Sequence, residues 1–183
     1  MTARLFKGAE YLITETTKDD VFTPEDFTDE QKQIGETTAQ FVLNEVLPNQ
    51  EKLENHDFDL SVKLMKRCGE LGLLMIDAPE AYGGLDLDKA TSMLVAEKLS
   101  TAGSFSVTYS AHTGIGTLPL VYYGTEAQKK KYLGKIISGE WIAAYCLTEP
   151  DSGSDALGAK TSAVLSPDKK YYLLNGTKQF ITN

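Results

Sequence analysis

The apolar residues of this chain change period near residue 139. Residues 1–27 show little periodicity; from residue 28 the apolar positions recur at helical spacing, and past 139 they come in short runs broken by turn residues. Thr28-Asp29-Glu30-Gln31 is a capping box, in which Thr28 accepts from the N3 amide while Gln31 reaches back. Ile34, Phe41, Val42 and Val46 follow on one face, and Pro48 is expected to close this helix. A second helix is expected from about Leu60, with Leu60, Leu64, Cys68 and Leu71 as its stripe and Gly72 as a left-handed cap. Residues 78–84 read as a turn. A third helix opens at Asp88 or Lys89 and runs to about Ser100, with Ala90, Met93, Leu94 and Leu99 inward. From Ser104 to Tyr123 the polar residues are mostly small, which predicts the most buried helix of the set. Gly124 ends it. Thr125-Glu126-Ala127-Gln128 is a second capping box, opening a helix with Tyr132, Leu133, Ile136 and Ile137 inward. Lys129 to Lys131 form its solvated face, and Gly139 ends it.

Past Gly139, Trp141 to Leu147 reads as a buried strand. Ala159 to Leu165 alternates loosely, Ser166-Pro167-Asp168 is a turn, and Tyr171 to Leu174 is β-prone. Asn175-Gly176 calls for a type I′ hairpin turn, with Lys178 to Thr182 as the returning strand. Helices followed by strands argue an α+β fold by segregation. The expected divisions are an N-terminal extension (1–27), an all-α helical domain (28–139) and the start of an antiparallel β-domain (140–183). In the extension, Tyr11-Leu12-Ile13 reads as a short anchor and Lys18-Asp19-Asp20 as a solvated stretch. The chain stops at Phe180-Ile181-Thr182-Asn183, inside an expected strand, which reads as truncation.

Composition narrows the function classes. With 183 residues and 42% hydrophobic content, the chain can build a packed core. Its 18 Lys and Arg against 26 Asp and Glu give a net charge of −8, which argues against nucleic acid as the main partner. Cys68 and Cys146 are far apart in apolar surroundings and read as buried free thiols of a reducing compartment. No metal-ligand spacing is present. No apolar stretch is long enough for a bilayer, and Arg4 and Lys7 precede no signal-peptide core. The expectation is a cytoplasmic protein without a transmembrane segment.

The densest chemistry lies at residues 145–155, Tyr-Cys-Leu-Thr-Glu-Pro-Asp-Ser-Gly-Ser-Asp. An apolar run feeds a turn rich in small hydroxyls, whose backbone N–H groups are free to face a ligand. This suits a flat, amphipathic cofactor; the same residues also make an ordinary loop. Glu149, beside Pro150, reads as a structural turn position. His112 reads as a satisfied core histidine or a cavity-wall residue.

Taken in order, four segments carry a resemblance. They are Pro79-Glu80-Ala81-Tyr82-Gly83-Gly84, then Gly124 to Leu133, then Tyr145 to Asp155, then Asn175-Gly176-Thr177-Lys178-Gln179-Phe180-Ile181-Thr182-Asn183. With them, residues 28–183 resemble the N-terminal half of an acyl-CoA dehydrogenase. Phe6-Lys7-Gly8 and Ser110-Ala111-His112 are similar to its very-long-chain branch. The resemblance implies a helical domain and a β-domain, followed by a second helical domain, with flavin adenine dinucleotide (FAD) between them. It implies α,β-dehydrogenation of fatty acyl-CoA thioesters in β-oxidation, with hydride passing to flavin N5. Electron-transfer flavoprotein would be the electron acceptor, and the full-length protein a homo-oligomer.

Carried onto this sequence, the resemblance puts Tyr145, Cys146, Leu147, Thr148, Gly153 and Ser154 along the flavin. Thr148 would bond its pyrimidine side, and Ser154 would touch the CoA part of the substrate. Phe180, Ile181 and Thr182 would form the second flavin segment, with the Thr182 hydroxyl near N5. The family has tryptophan where Phe180 stands, so the indole N–H is lost there. The family's catalytic glutamate would lie beyond Asn183, which leaves no catalytic residue and no activity in 1–183 by itself. Same-fold alternatives are an acyl-CoA oxidase or a flavin monooxygenase. A non-catalytic helical interaction module is a further one.

Overall fold

A computed structural model describes Phe6 and residues 9–17 and 20–183. Lys7 and Gly8 of the leader, and Lys18 and Asp19 of the charged stretch, lie outside the described residues. The described residues are mostly helical, with one small antiparallel hairpin among them, at 162–175. Tyr11, Leu12 and Ile13 are exposed, so they anchor nothing among the described residues.

Both expected capping boxes form. Thr28 accepts from the Gln31 amide at the start of α1 (Asp29–Phe41), and Thr125 from the Gln128 amide at the start of α7 (Glu126–Ile137). Pro48 does not end the first helical rod. The rod loosens into a π-turn at Val42–Val46, tightens into a 3-10 turn at Leu47–Asn49, and continues as α2 (Gln50–Glu54). A proline cannot donate to the carbonyl four residues back, and the changed winding accommodates that gap.

Helix α3 (Phe58–Glu70) begins on an Asp57 cap and ends at Gly72, whose φ of +77° is the left-handed cap expected of a glycine. Helix α4 (Lys89–Leu99) begins on an Asp88 cap. Its buried face is Thr91, Leu94, Val95 and Leu99. Met93, expected inward, is exposed, and Ala90 is only half-buried. The hydroxyl of Thr91 replaces Met93 because it accepts from the Gln31 amide of α1 at 3.0 Å. Leu94 packs directly on Gly35, where α1 and α4 approach closely.

The stretch 104–123 comprises α5 (Ser104–Ser110), a π-turn (Ala111–Thr117) and α6 (Leu118–Tyr123). Phe105, Tyr109 and His112 face the core, but Val107, Ile115, Tyr122 and Tyr123 are exposed. Its small residues Ser106, Thr108, Thr113 and Gly116 are half-buried and Thr117 is buried, so the outward positions are chiefly larger apolar ones. The core joins Phe41, Val46, Met65, Cys68, Leu99 and Phe105, each almost fully buried. Burial of each such side chain contributes about 1.5–3 kcal/mol. Tyr109 also donates its hydroxyl to the Leu73 carbonyl at 2.6 Å, tying α5 to the turn after α3.

After Gly139 (φ +74°) the chain reverses along α7. Trp141 donates its amide to the Lys135 carbonyl and lies beside the Tyr132 ring, with the Lys135 ammonium 4.5 Å from its centroid. Residues 141–147 form no strand and are mostly exposed. Their apolar composition suits a strand, but a ladder needs a partner, and none of the described residues supplies one. Regular β-structure begins instead at β1 (Ser162–Leu165), which pairs antiparallel with β2 (Tyr172–Asn175).

The hairpin turn lies at 166–171, with Lys169 left-handed at φ 58°. Asn175-Gly176 is not a hairpin turn: Asn175 pairs with Ser162, and neither residue has a positive φ. Gly176 serves close approach, since a Cβ there would collide with Thr161. Residues 178–182 form no strand either, and Phe180 is left-handed at φ 54°.

Candidate functional site

The two segments singled out in the sequence lie side by side. The Gln179 amide donates to the Thr148 carbonyl at 3.0 Å. Lys178 donates to the Leu147 carbonyl at 2.9 Å and to the Glu149 carboxylate at 2.7 Å. Asn183 donates its side-chain amide to the Ala143 carbonyl at 3.2 Å and to the Thr108 carbonyl of α5 at 3.0 Å. Residues 143–149 and 178–183 are thereby fastened to each other and to the helical body.

Within this frame Thr148, Ile181 and Thr182 are half-buried, while Tyr145, Cys146, Leu147 and Phe180 are exposed. Cys146 is thus an exposed thiol, not the buried one expected; its segment has no covering layer among the described residues. Ile181, Thr182 and Asn183 line an open cleft of about 860 Å³, shared with Val62 and Met65 of α3, Val107 and Thr108 of α5, and Ile142. Gly153 and Ser154 stand apart. They are exposed beyond a tight turn in which Glu149 and Ser152 exchange backbone hydrogen bonds at 2.9 and 3.1 Å.

Glu149 is the most constrained polar group here. It is 5% exposed. Its carboxylate accepts from the Lys160 amide at 2.6 Å, the Thr161 amide at 3.0 Å and the Lys178 ammonium. The Lys178 ammonium first, then the Thr161 and Lys160 donors, hold its pKa down at about 2. His112 is fully buried. Its Nδ1 accepts from the Ala143 amide at 3.0 Å, and its Nε2 lies 3.1 Å from the Ile136 carbonyl, so the neutral ring carries its hydrogen on Nε2. It is a satisfied core histidine. Sequence reasoning missed Lys178 and Asn183. A signal existed: Glu149 and Lys178 are opposite charges, one flanking Thr148 and the other four residues before Thr182.

Among the described residues no group of acidic, histidine or cysteine side chains could hold a metal ion, and no helix is long and apolar enough to cross a membrane.

The family model for the acyl-CoA dehydrogenase N-terminal domain matches residues 28–140. A probable acyl-CoA dehydrogenase of Bacillus subtilis (strain 168) is 59% identical over 177 residues, covering 97% of this chain and 30% of that protein. The mitochondrial isovaleryl-CoA dehydrogenase of Pongo abelii is 39% identical over 160 residues, covering 85% of this chain and 37% of that protein. Among solved structures, an acyl-CoA dehydrogenase from Bacillus anthracis complexed with FAD superposes with a TM-score of 0.95 at 59% identity, over 98% of this chain and 31% of that one. The chain thus spans about a third of the length of these relatives. On sequence and fold together, the chain belongs to the acyl-CoA dehydrogenase family.

Proposed function

We propose that this chain is the N-terminal part of an FAD-dependent acyl-CoA dehydrogenase that desaturates fatty acyl-CoA thioesters at the α,β position. The observation that carries the reading is the Gln179-to-Thr148 hydrogen bond, which sets the two candidate flavin segments in one layer. The residues suit the group chemically. Thr148 and Thr182 offer hydroxyls, while Tyr145, Leu147 and Ile181 offer apolar surface to a flat ring system. When bound, FAD supplies a two-electron acceptor that takes hydride at N5.

In this reading Tyr145 to Thr148, Gly153 and Ser154 form the first flavin segment, and Phe180 to Thr182 the second. Thr148 would offer its hydroxyl to the pyrimidine side of the ring, a fixed donor of the kind that favours reduction. Thr182 fixes the ring near N5, and Ser154 orients the CoA part of the substrate. Residues 28–139 form a helical domain, and 140–183 open a β-domain. The catalytic base comes from outside 1–183, so these residues alone turn over no acyl-CoA. The complete enzyme is a cytoplasmic homo-oligomer acting in fatty-acid β-oxidation, and it passes electrons to electron-transfer flavoprotein.

The test is anaerobic mixing of the complete, FAD-loaded protein with a series of acyl-CoA thioesters. Bleaching of the flavin absorbance supports the reading. Absence of bound flavin, or no bleaching with any chain length, overturns it. Rapid peroxide formation in air would identify an oxidase instead.

A further inference from the structure

We propose that Glu149 and Lys178 are a pair of positioning residues that hold the two flavin-side segments in register, a proposal that rests on the flavin reading above. Three stretches distant in sequence converge on the Glu149 carboxylate. Its own backbone closes the 149–152 turn, directly after Thr148. Its side chain takes the Lys160 and Thr161 amides, which lead into β1. It also takes the ammonium of Lys178, which comes after β2. Lys178 donates a second hydrogen to the Leu147 carbonyl. The Gln179-to-Thr148 bond lies between these anchors.

The side chains of Glu149 and Lys178 are only 5% and 24% exposed. A buried carboxylate is tolerated when its lone pairs are filled, and here three donors fill them. Such a pair adds little net stability over an apolar substitute, yet removing one partner leaves the other uncompensated. What it fixes here is geometry. With Lys178 gone, Leu147 and Glu149 lose their direct ties to the segment that carries Thr182, and among the described residues only the Gln179-to-Thr148 and Asn183-to-Ala143 bonds still join the two segments. Alignment of a hydride donor and acceptor tolerates displacement poorly, on the order of a hundredfold in rate for 1 Å.

The experiment uses the complete, FAD-loaded protein with Lys178→Met, Lys178→Arg and Glu149→Gln. Flavin reduction by acyl-CoA is expected to slow about tenfold or more in Lys178→Met and Glu149→Gln, with KM changed less than about threefold. Lys178→Arg, which keeps the charge and donors, is expected to recover most of the rate. A second readout needs no flavin. Hydrogen exchange of the Lys160, Thr161 and Gln179 amides is expected to accelerate about tenfold in Lys178→Met and to return in Lys178→Arg. Unchanged exchange at those amides overturns the clasp whatever the flavin does. Wild-type reduction rates in a stoichiometrically FAD-loaded Lys178→Met overturn its positioning role. A wild-type protein that holds no flavin would refute the functional reading, while the exchange experiment would still decide the clasp.

Discussion

The His112 imidazole accepts the Ala143 amide hydrogen at 3.0 Å while its other nitrogen donates to the Ile136 carbonyl at 3.1 Å. One buried ring thus joins the π-turn after α5, the end of α7 and the segment leading to Thr148. Protonating it would place a second hydrogen against the Ala143 N–H. Burial, opposed in part by the Ile136 carbonyl, pushes its pKa from 6.5 down to about 4.

The sign of the resulting pH dependence is fixed. Between pH 6.5 and 4 the unfolded chain binds the proton and the folded one does not, so stability falls as pH falls through that window. The loss by pH 4 is on the order of 3 kcal/mol. Urea denaturation at pH 7, 5.5 and 4 should show it. His112→Gln should flatten that slope while lowering stability at pH 7.

Gly69 and Gly134 should respond oppositely to alanine. A Cβ on Gly69 would run into the Ser138 carbonyl, where α3 meets the end of α7, so Gly69→Ala should cost about 1–3 kcal/mol. Gly134 lies within α7 with nothing within 4 Å of a Cβ, so Gly134→Ala should stabilise by about 0.5–1 kcal/mol. Thermal melts of the two variants check both signs.

The two thiols should separate cleanly. Cys146 is exposed, whereas Cys68 is buried and burial pushes its pKa up. Titration of native 1–183 with a thiol reagent should modify Cys146 alone, with Cys68 reacting only on unfolding. In the complete protein, bound FAD should slow the modification of Cys146. Equal reactivity of Cys146 with and without FAD would count against its place along the flavin.

Thr182→Ala should slow flavin reduction in the complete enzyme more than it weakens acyl-CoA binding. Ser154→Ala should do the reverse. Each effect should stay within roughly tenfold, the scale of one hydrogen bond. Stopped-flow reduction rates and substrate titrations measure the two separately, and equal effects on reduction would remove the assignments.

What could be read in the sequence was local. The Thr28 and Thr125 caps, the Gly72 and Gly139 helix ends and the Leu64–Cys68 stripe need only neighbours within one or two turns. Readings that failed depended on distant partners. Thr91 is buried in place of Met93 because the Gln31 side chain of α1 donates to its hydroxyl. Asn175-Gly176 has the composition of a hairpin turn, but the pairing of Ser162 with Asn175 puts the turn elsewhere. Residues 141–147 have strand composition without a ladder. The candidate site obeyed the same rule. Its residue types were visible in two motifs; their adjacency through Gln179 and the Glu149–Lys178 pair was not.

The buried face of 104–123 reads Phe105, Tyr109, His112, Thr117 and Val121, and the step from His112 to Thr117 is one residue longer than an ordinary turn allows. The Thr117 hydroxyl closes that step on the His112 carbonyl at 2.6 Å. A widened turn of this kind amounts to a single inserted residue, absorbed without rotating the helix beyond it. Gly114, with open space around it, sits inside the step. Deleting Gly114 should therefore keep Thr117 and Val121 inward, with the hydrogen-bond ladder still interrupted at Pro119. A one-residue loss that would scramble the face of any regular helix here should leave a folded chain.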